Sequence, residues 1–184
     1  MMSENSDSRQ KLAVYAGSFD PPTNGHVWMI REGARMFGTL NVAVGTNPDK
    51  HSTFGIDLRR NWLEEIVDEV SGELKAEGRH SPTISVTSFE NRFLVEYAFS
   101  LGATFILRGI RNETDFTYER TMRLINADLH PTITTVFLMP PRDLCEVSSS
   151  SIKGMIGPRG WQEVVRRYLP PVVFRHLETQ PLPT

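Results

Sequence analysis

With a single cysteine, Cys145, this chain of 184 residues cannot close a disulfide within itself, which excludes a fold stapled by sulfur and suits a reducing compartment. No apolar run approaches the roughly 20 residues that cross a bilayer as a helix, so no membrane partner is expected. An excess of one charge is missing too. The 20 Lys and Arg against 22 Asp and Glu leave a formal net charge of −2, a balance that gives no grip on nucleic acid. Also missing are a Walker-type Gly-Lys-Ser/Thr run, the G-x-G-x-x-G of a dinucleotide fold and any metal-ligand cluster, since His51, His80, His130 and His176 are scattered. The first residues, Met1 to Ser8, are polar and acidic rather than a secretory leader, so a cytoplasmic protein is expected.

What remains is the composition of a soluble globular protein, 39% hydrophobic and 23% charged, at a length that suits one well-cored domain. Residues 1–9 read as a disordered tail, 10–179 as the domain and 180–184 as a short terminal tail. Within the domain, apolar runs alternate with amphipathic stretches. Strands are expected at about 11–16, 40–44, 83–87, 104–107 and 132–138, and helices at about 25–37, 57–75, 92–101 and 113–129. Helices close the chain, one from the serine run and others across 161–177, interrupted at Pro170-Pro171. This order predicts an α/β fold: a Rossmann-like, doubly wound parallel sheet of five strands with helices on both faces and a helical C-terminal part. Phe116, Tyr118 and Met122 are read as core, and the segment 76–82 as a polar connection.

Ligands of such sheets sit beyond the strand C-termini, and the residues with chemistry to offer fall there. Gly17-Ser18-Phe19-Asp20-Pro21-Pro22-Thr23-Asn24-Gly25-His26 follows the first strand and runs into a helix, whose free N–H groups and positive dipole end favour phosphate. The same residues are also ordinary turn formers, and a histidine at a helix start is commonly only a capping group. Asn47-Pro48-Asp49-Lys50 follows the second strand, although a loop lysine is usually just solvated. Arg108-Gly109-Ile110-Arg111 follows the fourth. Its two planar guanidinium forks match phosphate oxygens, unless they serve Glu113 and Asp115 instead. Ser148 to Ser151 follow the fifth and offer hydroxyls and cap amides, or a plain N-cap.

These motifs, in this order, resemble the phosphopantetheine adenylyltransferases of the T/H-x-G-H nucleotidyltransferase superfamily, from about Lys11 to Leu177. The shared runs are Gly17 to Pro21 with Thr23-Asn24-Gly25-His26, Arg108 to Arg111 with Asp115-Phe116 and Tyr118-Glu119, Phe137 to Pro140, and Val147 to Ser150. The resemblance implies transfer of AMP from ATP, with Mg²⁺, to 4′-phosphopantetheine. By position it implies His26, Lys50 and Arg111 as catalytic residues. Ser18, Phe19, His26, Gly109, Ile110, Arg111, Glu119, Leu144, Cys145, Glu146, Val147, Ser148, Ser149 and Ser150 would contact ATP, and Ser18, Lys50, Leu94 and Arg108 the acceptor. No protein-held metal site is expected. A hexamer with feedback by coenzyme A is implied as well. Two other readings stay open at this stage: a relative acting on nicotinamide mononucleotide or using CTP, and a nucleotide sensor without turnover, which Glu146 near the nucleotide would suit.

Overall fold

The computed structural model describes residues 11–46, 51–78, 82–145 and 147–180. Its sheet is built from β1 (Lys11–Gly17), β2 (Gly38–Thr46), β3 (Thr83–Glu90), β4 (Phe105–Gly109) and β5 (Thr134–Leu138), all parallel, in the order β3-β2-β1-β4-β5. Helices α1 (Asn24–Phe37), α2 (Ile56–Ala76), α3 (Leu94–Ser100) and α4 (Glu113–Leu129) form the crossovers. After β5 come α5 (Arg142–Cys145), α6 (Ser149–Met155), α7 (Trp161–Val165), a 3₁₀ turn at Arg166–Tyr168, and α8 (Pro171–Thr179). The expected doubly wound fold is present. The strand order reverses between β1 and β4, where loops leaving in opposite directions open a crevice.

Alternation along the strands explains why both faces of the sheet are covered. Ala13 and Tyr15 of β1 join Leu40, Val42 and Leu107 against Met29, Ile30 and Ala34 of α1, Trp62, Leu63 and Ile66 of α2, and Val173, Phe174 and Leu177 of α8. Val14 and Ala16 join Ala43 and Ile106 against Val95, Tyr97 and Ala98 of α3. The second face carries a polar inset as well: Asn41 donates to Ser85 Oγ at 2.9 Å and accepts from Thr87 Oγ1 at 2.9 Å, with the Tyr97 hydroxyl 2.6 Å from Thr87 Oγ1.

Two expectations need correcting. Phe116 and Tyr118 are not core, being 47% and 61% exposed, while Met122 is half-buried. Glu119 is the only buried residue of α4, so its apolar positions were assigned to an interior the sheet does not supply. The one-turn helix α5 was also unforeseen, because four residues carry no periodicity. Of the 76–82 connection, residues 79–81 lie outside the described residues, as do the tails 1–10 and 181–184.

Candidate active site

The β1–α1 loop is locked by buried bonds rather than by its glycines alone. Phe19 adopts φ 49°, a left-handed conformation that costs a non-glycine residue of order 1 kcal/mol or more. Its ring is fully buried, 5.5 Å from Tyr15 and 5.1 Å from the His26 ring, which holds the backbone there. Asp20, 5% exposed, accepts from the backbone N–H groups of Thr53 at 3.0 Å and Phe54 at 2.8 Å, and from Lys153 Nζ at 2.7 Å. Burial alone would raise its pKa. The Lys153 bond and the two N–H donors more than offset this and hold the carboxyl below its ordinary range. Arg59 of α2, 2% exposed, donates to the Ser18 carbonyl at 2.7 Å. Ser149 Oγ donates to the Pro21 carbonyl at 2.8 Å. One carboxylate thus joins the first loop, the segment entering α2, and α6.

Thr23 caps α1 and His26 stands at the third helical position. The imidazole Nδ1 accepts the Thr23 backbone N–H at 2.9 Å and lies 3.0 Å from Thr23 Oγ1, so the ring reaches back where a capping-box glutamate would. Burial, then Arg111, pushes the His26 pKa down to about 4, so the ring is neutral at neutral pH. Gly25 lines the same cavity. A Cβ there would meet Leu144 O and Thr23 Oγ1 at an ordinary 3.5 Å, so the protein's own packing tolerates one.

The β4–α4 side is charged. Arg108 donates from Nε to Glu119 Oε2 at 2.9 Å and from Nη2 to Oε1 at 2.5 Å, with Nη1 on the Ala16 carbonyl at 2.7 Å. These bonds engage three of five guanidinium hydrogens and leave two for a ligand. Burial alone would weaken its charge, and Glu119 more than restores it. Arg111 is paired with Asp115, from Nε at 2.8 Å and Nη2 at 3.2 Å.

These elements enclose a cavity of about 340 Å³ lined by Ser18, Thr23, Gly25, His26, Arg108, Gly109, Arg111, Glu119, Leu144, Val147 and Ser148 to Ser150, among others. A second, of about 440 Å³, is lined by Leu94, Phe89, Phe93, Met122 and Asn126 together with Ala16, Gly17, Ser18, Arg108 and Glu119. Those last residues belong to both. Ser18, Arg108 and Glu119 thus stand in the wall that the two hollows share. Phe19, Ile110 and Cys145 are not among the residues lining either cavity: the Phe19 ring is in the core, Ile110 lines an outer apolar groove, and the Cys145 thiol donates to the Pro140 carbonyl at 3.1 Å. Lys50 and Glu146 lie outside the described residues. Among the described residues, no group of three or more His, Cys, Asp or Glu could hold a metal ion.

Asp20, Arg59 and Lys153 were missed in the sequence. Only Arg59 carried a signal, since it falls three residues before Trp62 and seven before Ile66, on the stripe of α2 that faces the core.

The chain has relatives among known proteins. A family model described as cytidylyltransferase-like matches residues 14–155. The phosphopantetheine adenylyltransferase of Chromobacterium violaceum is 56% identical over 91% of this chain and 95% of its own. That of Neisseria meningitidis serogroup C is 51% identical over 91% and 92%. Among solved structures, a nicotinic acid mononucleotide adenylyltransferase from Plasmodium falciparum, complexed with NaAD, superposes with TM-score 0.65 over 92% of this chain and 95% of its own. TmcAL of Thermotoga maritima, bound with alpha-thio ATP, gives 0.63 over 92% and 55%. At 13% and 11% identity these two speak for the fold alone. On the sequence relatives and the family match together, the chain belongs to the cytidylyltransferase-like family and, within it, to the phosphopantetheine adenylyltransferases.

Proposed function

We propose that the chain transfers AMP from ATP to 4′-phosphopantetheine, forming dephospho-coenzyme A and pyrophosphate in coenzyme A biosynthesis. The observation that supports this reading best is the pair of cavities sharing Ser18, Arg108 and Glu119. A two-substrate transfer needs two binding spaces with one common wall, where the reacting groups meet. In this reading ATP takes the smaller cavity, between the α1 N-terminus and the serine-capped α6, and the pantetheine arm takes the larger, beside Phe89, Phe93 and Leu94.

The chemistry asks little covalent help of the protein. A phosphate oxygen of the acceptor attacks the α-phosphorus, a new P–O bond forms, and the bond to the β-phosphate oxygen breaks as pyrophosphate leaves. The nucleophile is already an anion, so no side chain has to take a proton from it. Catalysis then rests on alignment and on stabilising charge at the α-phosphoryl oxygens. In this assignment His26 donates an N–H to that group with the α1 amides, and Lys50 adds charge. Arg111 and Ser148 to Ser150 hold the β- and γ-phosphates, and Arg108 uses its two remaining hydrogens on the acceptor phosphate. Mg²⁺ enters as MgATP, bound mainly by phosphate oxygens and water, as is usual for this ion. A cytoplasmic location, a hexamer and feedback by coenzyme A belong to the same reading; among the described residues no helix is long and apolar enough to cross a membrane.

The test is pyrophosphate release with 4′-phosphopantetheine, nicotinamide mononucleotide and pantetheine, each with ATP and with CTP. Turnover with ATP and 4′-phosphopantetheine alone is expected. Preference for the mononucleotide or for CTP, or silence with every acceptor, would overturn the assignment.

A further inference from the structure

We propose that Thr23 is a positioning residue that fixes His26 in the Nε2–H tautomer, making the imidazole a neutral hydrogen-bond donor throughout the reaction. The Thr23 backbone offers a group with no choice of role. A backbone N–H can only donate, and that of Thr23 lies 2.9 Å from His26 Nδ1, so Nδ1 must present a lone pair. The Thr23 hydroxyl, 3.0 Å from the same nitrogen, is then a second donor to it. With Nδ1 bare, a neutral ring carries its only proton on Nε2, at the ring edge turned away from Thr23. Protonating Nδ1 would set N–H against N–H and leave the amide of Thr23, a residue only 2% exposed, without its acceptor.

The surroundings act in the same direction. Among the described residues, the other cavity-lining groups with charge or titratable protons are Tyr15 from β1, Arg108 and Arg111 from β4 and the segment after it, and Asp115 and Glu119 from α4. Asp115 is engaged by Arg111 and Glu119 by Arg108, so neither carboxylate is left to stabilise an imidazolium. Burial keeps Tyr15 a neutral phenol, raising its hydroxyl pKa well above the ordinary value. The ring pKa near 4 follows from burial and from Arg111. Hydrogen bonds to the neutral form strengthen the same preference. A neutral donor suits phosphate-on-phosphate attack, which needs a fixed N–H and no proton transfer.

The kinetic arm of the test rests on the adenylyltransferase reading, whereas the spectroscopic arm does not. Nitrogen-15 NMR of the histidine rings in the full chain, with His26 assigned by its loss in His26→Asn, should show a neutral ring protonated at Nε2 from pH 7.5 down to about 5. Thr23→Val should raise the His26 titration midpoint by about half a pH unit or more. It should also lower kcat about tenfold, with the KM for ATP changed less than about twofold. Thr23→Ser, which keeps the hydroxyl, should restore both. An Nδ1–H tautomer, or wild-type titration near the ordinary histidine value, overturns the proposal even if Thr23→Val fails to fold. A Thr23→Val that lowers Tm alone, leaving titration and kcat as in the wild type, overturns the share given to the hydroxyl, since the substitution keeps the backbone N–H on Nδ1. If the spectra fit while no acceptor turns over, the activity assignment fails and the tautomer stands.

Discussion

The two loops that leave β1 and β4 stand side by side at the switch point, yet they prepare the site by different means. The β1–α1 loop is neutral where it faces the cavity: a serine, helix N–H groups and a histidine stripped of its charge. The ionic groups that hold its shape, its own Asp20 with Arg59 of α2 and Lys153 of α6, lie behind it. The β4–α4 side turns its charge to the cavity, but each arginine comes with a carboxylate already in its fork. In the proposed reaction the difference separates two tasks. Groups that must sit at the reacting phosphorus are placed by buried bonds, because alignment there is worth most. Groups that hold the flanking phosphates are pre-aimed by counter-charges that a polyanion can share.

Breaking the neutral side should cost the most. Removing the His26 donor with His26→Ala is expected to lower kcat by about two to three orders of magnitude, with little change in ATP affinity by calorimetry. Equal losses in both would make His26 a binding group like the arginines. Next comes the charged side. Arg108→Met leaves Glu119 buried without its partner and should destabilise the fold by about 3 kcal/mol in denaturant titrations. Arg108→Met with Glu119→Leu should recover most of that stability while the acceptor KM stays high. A smaller effect belongs to the support behind the first loop. Asp20→Asn should cost about 2 kcal/mol, since Lys153 loses its counter-charge and one of the two backbone donors its acceptor. Because the folded pKa of Asp20 lies below the unfolded one, its contribution is complete above the unfolded value and fades as pH falls through the folded one. Asp20→Asn should therefore flatten the acid limb of the stability curve. The least is expected of Asp115→Asn, which loosens a half-exposed pair and should change stability by less than about 1 kcal/mol.

The sequence carried the architecture well, because its information is local. Alternation marked the strands, and the period through Ile30, Ala34 and Phe37 marked α1. Glycine stops marked helix ends at Gly38 and Gly102. The motifs also fell where the topology gathers them, so the cavity could be anticipated from strand ends. What could not be read was pairing at long range. Asp20 looked like a turn former, yet its partners lie 33, 34 and 133 positions away. Neither pairing nor depth shows in a linear pattern. Phe116 and Tyr118 failed for the converse reason: aromatic residues on a helix imply a covering layer, and the described residues provide none over these two.

The stereochemical course at the α-phosphorus tests the central claim most directly, namely that two cavities with a common wall bring one phosphate against another with no intermediate on the protein. With ATP carrying sulfur at a defined α-position, the dephospho-coenzyme A formed should show inversion, as one in-line displacement requires. Retention would mean that an enzyme-bound adenylyl group intervenes, and would contradict the account.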